Sequence, residues 1–102
     1  MREPALMLRR TYVLPPTVTL TVAGDEAVLL DLTDETMFSL NGTGARVVGL
    51  LTAGEDVAGA INLLAAEYAV DRAQLVPDVD RLIAALVAAR LLQPLEPISP
   101  DE

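Results

Sequence analysis

The chain has 102 residues and a mass of 10.8 kDa; 52% of it is apolar, 22% is charged, and 15 acidic against 7 basic residues give a formal charge of -8. That is the length of one domain, too apolar for a disordered polymer and without the run of about 20 apolar residues that a membrane span requires. Cysteine, histidine, lysine and tryptophan are absent, which excludes disulfides, thiol nucleophiles, iron–sulfur and cysteine/histidine zinc centres, an imidazole base and a lysine Schiff base.

Residues 1–16 read as a flexible amino-terminal arm ending in Leu14-Pro15-Pro16, where two prolines remove two donors and hold the backbone extended. Its first ten residues carry arginines but no apolar stretch ahead of a cleavage site, so no secretory signal is expected. Thr17 to Val22 then alternates strictly, threonines on one face and Val18, Leu20 and Val22 on the other, which is the period of a half-buried strand. Ala23-Gly24-Asp25-Glu26 makes a turn, and Ala27 to Leu32 forms a second strand. The charge at Asp31 sets its expected register, with Val28, Leu30 and Leu32 inward. After Thr33-Asp34-Glu35, a third short strand covers residues 36–40, with Phe38 and Leu40 on one face and Met37 and Ser39 on the other.

Asn41-Gly42-Thr43-Gly44 ends the sheet and offers Asn41 or Thr43 as a helix cap. A short helix is expected over Ala45 to Leu51, and a second from the Asp56 cap to about Ala69, with Val57, Ile61, Leu64, Ala65 and Tyr68 along one stripe. Asp71 and Gln74 have capping-box spacing ahead of a third helix that runs to about Leu91. Pro77 conflicts with a helix interior, so a loose turn is expected over 72–76 and regular helix from Pro77 onward. Residues 93–102 read as an acidic, proline-rich tail. The fold class is α+β: a three-stranded antiparallel sheet followed by three helices, winged-helix-like, with residues 17–92 as the domain.

The carboxylate pairs Asp25-Glu26, Asp34-Glu35 and Glu55-Asp56 all fall in turns, where solvated caps are the ordinary reading. Asn41 to Ala45 lacks the lysine of a phosphate loop, and Ser39 has no base to activate it. The third helix would expose Asp78, Asp80, Arg81, Ala84, Ala85 and Ala88, a poor surface for bases and phosphates, so nucleic acid is not an expected partner. No catalytic, metal or cofactor site emerges. The positive feature is the third strand: an edge strand offers unpaired donors and acceptors to an extended peptide, and Met37 is adaptable enough to line a pocket.

Three stretches carry a resemblance. They are Met37 to Val48 with its Leu-Asn-Gly-Thr-Gly-Ala core, Ala66-Glu67-Tyr68-Ala69-Val70-Asp71, and Pro77 to Leu82, preceded by Ala27 to Leu32. In this order, across residues 17–92, the chain resembles the PqqD-like family of peptide recognition elements, most closely the free-standing members of lasso-peptide pathways. Thr33-Asp34-Glu35 departs from the family's usual Thr-Gly turn, and Met37-Phe38 from its aromatic pair. The resemblance implies a non-enzymatic cytoplasmic protein that binds a precursor's leader peptide as an added strand and delivers it to a separate cysteine-protease-type leader peptidase. By position, Met37, Phe38, Ser39 and Leu40 would form the strand side of that site. Asp78, Arg81, Leu82, Ala85 and Leu86 would form the helix side, with Leu82 and Leu86 open to a core role instead. A partner for a radical SAM enzyme, or a structural winged-helix interaction module, are the alternatives.

Overall fold

Alternation, caps and one misread register account for most of the architecture. The structure, a computed structural model, describes residues 10–95. Its elements are β1 (Tyr12–Val13), β2 (Val18–Ala23), β3 (Glu26–Asp31), β4 (Thr36–Leu40), α1 (Gly42–Thr52), α2 (Val57–Tyr68), α3 (Arg72–Ala88) and β5 (Gln93–Pro94). β2, β3 and β4 form an antiparallel meander in that spatial order, and the three helices pack on one face of it.

The expected strand order holds, but the register of the middle strand is the reverse of the one read from Asp31. Ala27 and Leu29 are buried, while Leu32 is 59% exposed and Val28 and Leu30 are half-buried. Leu29 sits opposite Leu20 on one side and Phe38 on the other. The inner face is therefore built from Leu20, Leu29, Phe38 and Leu40. Asp31 fails as a register marker because it ends its strand. There its carboxylate accepts a hydrogen bond from the Thr33 N–H (2.9 Å) and stays satisfied on the core-side parity. The outer face carries Val28, Leu30, Leu32 and Met37, with Thr17, Thr19, Thr21 and Ser39 between them.

Asn41 and Asp56 cap α1 and α2 as their residue types predict, each accepting from the N–H three residues on (Gly44, 2.9 Å; Gly59, 2.7 Å). α3 differs from expectation at both ends. It starts at Arg72, with Pro77 inside it and no side-chain bond from Asp71, so the capping box does not form. Burial of Leu75 on the same stripe as Val79, Ile83 and Leu86 holds the first turn helical despite the proline. It stops at Ala88 because Arg90 turns left-handed (φ 63°). The Leu91 N–H then bonds back to the Leu86 carbonyl (2.9 Å), a Schellman closure made without glycine. Ala69 (φ 57°) closes α2 in the same way. The reversal after Arg90 buries Leu91 and Leu92.

Part of the expected arm and tail is built into the fold. Tyr12 is buried, Tyr12–Val13 pairs antiparallel with Gln93–Pro94, and the Arg10 carbonyl accepts the Val57 N–H at the start of α2 (3.0 Å). Two-residue strands carry no periodicity, so nothing local announces them. The rest of the arm (1–9) and tail (96–102) lies outside the described residues.

Candidate functional site

β4 is the last strand of the meander and, among the described residues, pairs only with β3, which leaves its other side as a sheet edge there. The peptide groups on that edge follow from one bond. The Leu32 N–H donates to the Thr17 carbonyl (2.8 Å), so 17/32 is a hydrogen-bonded pair of the β2–β3 ladder. Bonded and non-bonded pairs alternate along antiparallel strands. Residues 28 and 30 therefore face β2, and Ala27, Leu29 and Asp31 face β4 with their N–H and C=O. Their partners Leu40, Phe38 and Thr36 use their peptide groups inward. Met37 and Ser39 are left, and both present N–H and C=O to the open edge. This is a two-residue rail of four outward peptide groups.

The side chains divide by the same parity. Met37 is 63% exposed and Ser39 is exposed, both on the outer face; Phe38 is half-buried against the core and Leu40 is buried. On α3, Asp78, Leu82 and Ala85 recur at helical spacing beside the buried row of Val79, Ile83 and Leu86. Asp78, Arg81 and Ala85 are exposed, and Leu82 is half-buried at the boundary of the core. Leu86 has no exposed surface, so of its two open roles the structure gives it the core one. Arg81 pairs with Asp78 on the solvent side of the helix.

The β3–β4 turn and the end of α3 come together at one cleft. Of about 480 Å³, it is bordered by Asp31, Thr33 and Asp34 of the β3–β4 turn and by Val87, Ala89 and Arg90 of the last turn of α3. Pro15 and Thr17, before and beside the start of β2, and Leu92, Gln93 and Pro94 complete its lining. No residue of β4, and none of Asp78, Arg81, Leu82, Ala85 or Leu86, lines this cleft. Val87, Arg90 and Asp34 line a cleft that the spacing did not reveal. The signal was weak: Val87 looks like one more core residue of the helix, and Arg90 sits past a turn that no glycine marks.

The turn that leads into β4 is held by Asp34, whose carboxylate accepts the Thr36 N–H (3.0 Å). The Thr36 side-chain and backbone hydrogen bonds hold the Asp34 carboxyl below its usual value of 3.8. A depressed folded-state value gives a contribution that is present above pH 3.8 and is lost as pH falls through the lower folded-state value. NMR titration is expected to show the Asp34 carboxyl titrating below the usual range, with the Thr36 amide resonance following it. A normal titration would remove this brace.

A second, larger cleft of about 760 Å³ is lined by Val22, Gly24 and Asp25 of the β2–β3 hairpin, by Asn41 to Thr43 after β4, and by Ala45, Arg46, Gly49, Glu67 and Tyr68. Arg46 and Glu67 pair across it (2.9 Å). No trio of acidic, histidine or cysteine side chains is grouped to hold a metal among the described residues. No helix among them is long and apolar enough to cross a membrane.

The sequence model of the family described as coenzyme PQQ synthesis protein D (PqqD) matches residues 26–92, from the start of β3 to the turn after α3. The chain belongs to the PqqD family. Two solved structures share the fold of this PqqD-family chain. One is described as TbiB1 in complex with the TbiA(beta) leader peptide. It is 32% identical, with a TM-score of 0.74 over 78% of this chain and 93% of that one. The other is described as lasso peptide synthetase B1 complexed with the leader peptide; it is 28% identical, with a TM-score of 0.74 over 81% and 98%. No curated protein matches the chain. The three-strand, three-helix α+β architecture is thus the fold of these neighbours.

Proposed function

We propose that the chain binds the leader segment of a ribosomally made precursor, of the lasso-peptide kind, and delivers it without chemistry to a separate cysteine-protease-type leader peptidase. The observation that carries this reading is the outward pair of peptide groups at Met37 and Ser39 on an edge beside which the described residues place no strand. Both structural neighbours are complexes with leader peptides. An extended leader would take four ladder bonds on this rail and lay alternate side chains toward Phe38, Leu82 and Ala85, or outward beside Met37.

The sequence supplies no side-chain thiol, imidazole or amine for covalent or acid–base chemistry. Its contribution is proximity: leader and enzyme held together meet at an effective concentration in the millimolar range. Ordering a free leader costs about 2–5 kcal/mol of the gross interaction energy. A micromolar to submicromolar affinity, about -8 to -9 kcal/mol, is the expected remainder. The family's description in coenzyme PQQ synthesis favours one second reading, in which the same rail serves a radical SAM tailoring enzyme.

Calorimetry with the synthetic leader of the precursor encoded beside this chain tests the proposal. Saturable binding with no cleavage of the leader by the domain alone is expected; absence of binding at hundreds of micromolar would overturn it. The same assay places the helix side. In this reading Arg81, which pairs with Asp78 on the exposed side of α3, would meet the leader, whereas Arg72 bonds Asn62 of α2. Arg81→Glu is expected to weaken binding on the order of fivefold, the scale of an exposed ion pair, and Arg72→Glu to leave it unchanged. Equal effects would take Arg81 out of the site.

A further inference from the structure

We infer that residues 10–13 and 93–95 form a clasp that holds α3 where leader binding needs it, so that residues remote from the β4 edge set leader affinity; this rests on the leader-binding reading above. Two successive carbonyls make the clasp. The Arg10 carbonyl accepts the N–H of Val57, the first residue of α2 (3.0 Å), and the Thr11 carbonyl accepts the Leu95 N–H on the chain returning from α3 (2.9 Å). Between these bonds Tyr12 and Val13 pair with Pro94 and Gln93. Three buried side chains lock the arrangement. Tyr12, Leu91 and Leu92 belong to the same core cluster as Ile61 of α2 and Leu86 of α3. The helical pair α2–α3, continuous through residues 69–71, is thus tied a second time through the clasp.

The return from α3 is made against local preference. Arg90 is left-handed (φ 63°), a conformation that glycine adopts freely and a branched side chain resists. The reversal buries Leu91 and Leu92 and brings Gln93 and Pro94 to the cleft that the last turn of α3 shares with the β3–β4 turn. One clasp therefore fixes the carboxyl end of α3 against both α2 and the turn that leads into β4. Two-residue strands are marginal by themselves, so the clasp opens more readily than the core it covers. With it open, Leu91 and Leu92 lose cover, and α3 is held by its buried row of Leu75, Val79, Ile83 and Leu86. A leader that needs one placement of α3 binds more weakly in proportion to the molecules that keep it. By linkage, bound leader closes the clasp by the same factor. Tyr12 and Leu95 are in this sense positioning residues that act through α3.

The test uses the full chain and the synthetic leader. Leu95→Pro removes the donor to Thr11 at a residue 54% exposed, so it deletes a bond and little packing. Tyr12→Ala removes the buried side chain of β1, and Ile61→Val, in the buried core of α2 outside the clasp, controls for stability alone. Circular dichroism confirms folding and calorimetry reads affinity. Both clasp variants are expected to bind leader about fivefold or more weakly than the parent, and Ile61→Val within about twofold of it. Hydrogen exchange on the parent needs no variant to fold. Saturating leader is expected to slow the Val57 and Leu95 amides about fivefold or more. The Val70 amide, bonded to the Ala65 carbonyl at the other end of α2, is expected to keep its rate. Parental affinity in both folded clasp variants, or unchanged exchange at Leu95 in the leader-saturated parent, would overturn the inference and leave the leader reading standing. A parent that binds no leader overturns both.

Discussion

Replacing Ser39 with proline is expected to cut leader affinity by roughly 30- to 100-fold while leaving the domain folded. The size follows from two losses: a ladder bond of about 1 kcal/mol, and a leader carbonyl left without a donor at about 1–3 kcal/mol. The second is partly relieved by water at the groove margin. The Ser39 N–H faces away from β3, so proline there removes nothing from the ladder that builds the sheet, and edge strands tolerate proline where the missing donor faces solvent. Phe38→Pro is the contrast. Its N–H belongs to the bonded pair with Leu29, and its loss should unfold or loosen the sheet. Calorimetry and circular dichroism on the two variants separate the cases. A folded Ser39→Pro domain that keeps full affinity would place the leader somewhere other than this edge.

That contrast depends on register, and register is where the sequence was least informative. The third strand was legible to the residue, because Thr36-Met37-Phe38-Ser39-Leu40 is short, alternating and bounded by turn residues. Asn41 and Asp56 were legible as caps because their side chains act on neighbours three residues away. Residues 27–30 are all apolar, so both faces of β3 are plausible, and a single carboxylate at the strand end proved a poor arbiter. Only the pairing of Leu29 with Leu20 and Phe38 decides it. The same non-local fact decides which peptide groups of β4 face outward, so the rail could be suspected from the sequence but not assigned. The β1–β5 pair and the cleft between the β3–β4 turn and α3 were invisible for a related reason. They join residues more than fifty positions apart, with no local pattern on either side.

Leu29→Ala is expected to be among the most damaging single truncations in the sheet, and Leu32→Ala among the mildest. Leu29 has no exposed surface and lies at the centre of the inner face, flanked by Leu20 and Phe38 and covered by the helices. Removing its three carbons leaves a cavity in a core that cannot fully collapse, a cost of about 2–5 kcal/mol. A domain of this size holds only about 5–15 kcal/mol in all, and each kcal/mol moves its melting point by about 4–8 °C. The expected fall is therefore on the order of 10–30 °C. Leu32 is mostly exposed on the outer face, and its truncation should stay within about 0.5 kcal/mol. Thermal and urea unfolding of the pair check both values. The opposite order, Leu32→Ala severe and Leu29→Ala mild, would mean that β3 is turned over. Met37 and Ser39 would then surrender the open edge to their neighbours, and the rail and the effect of proline at Ser39 would fail together.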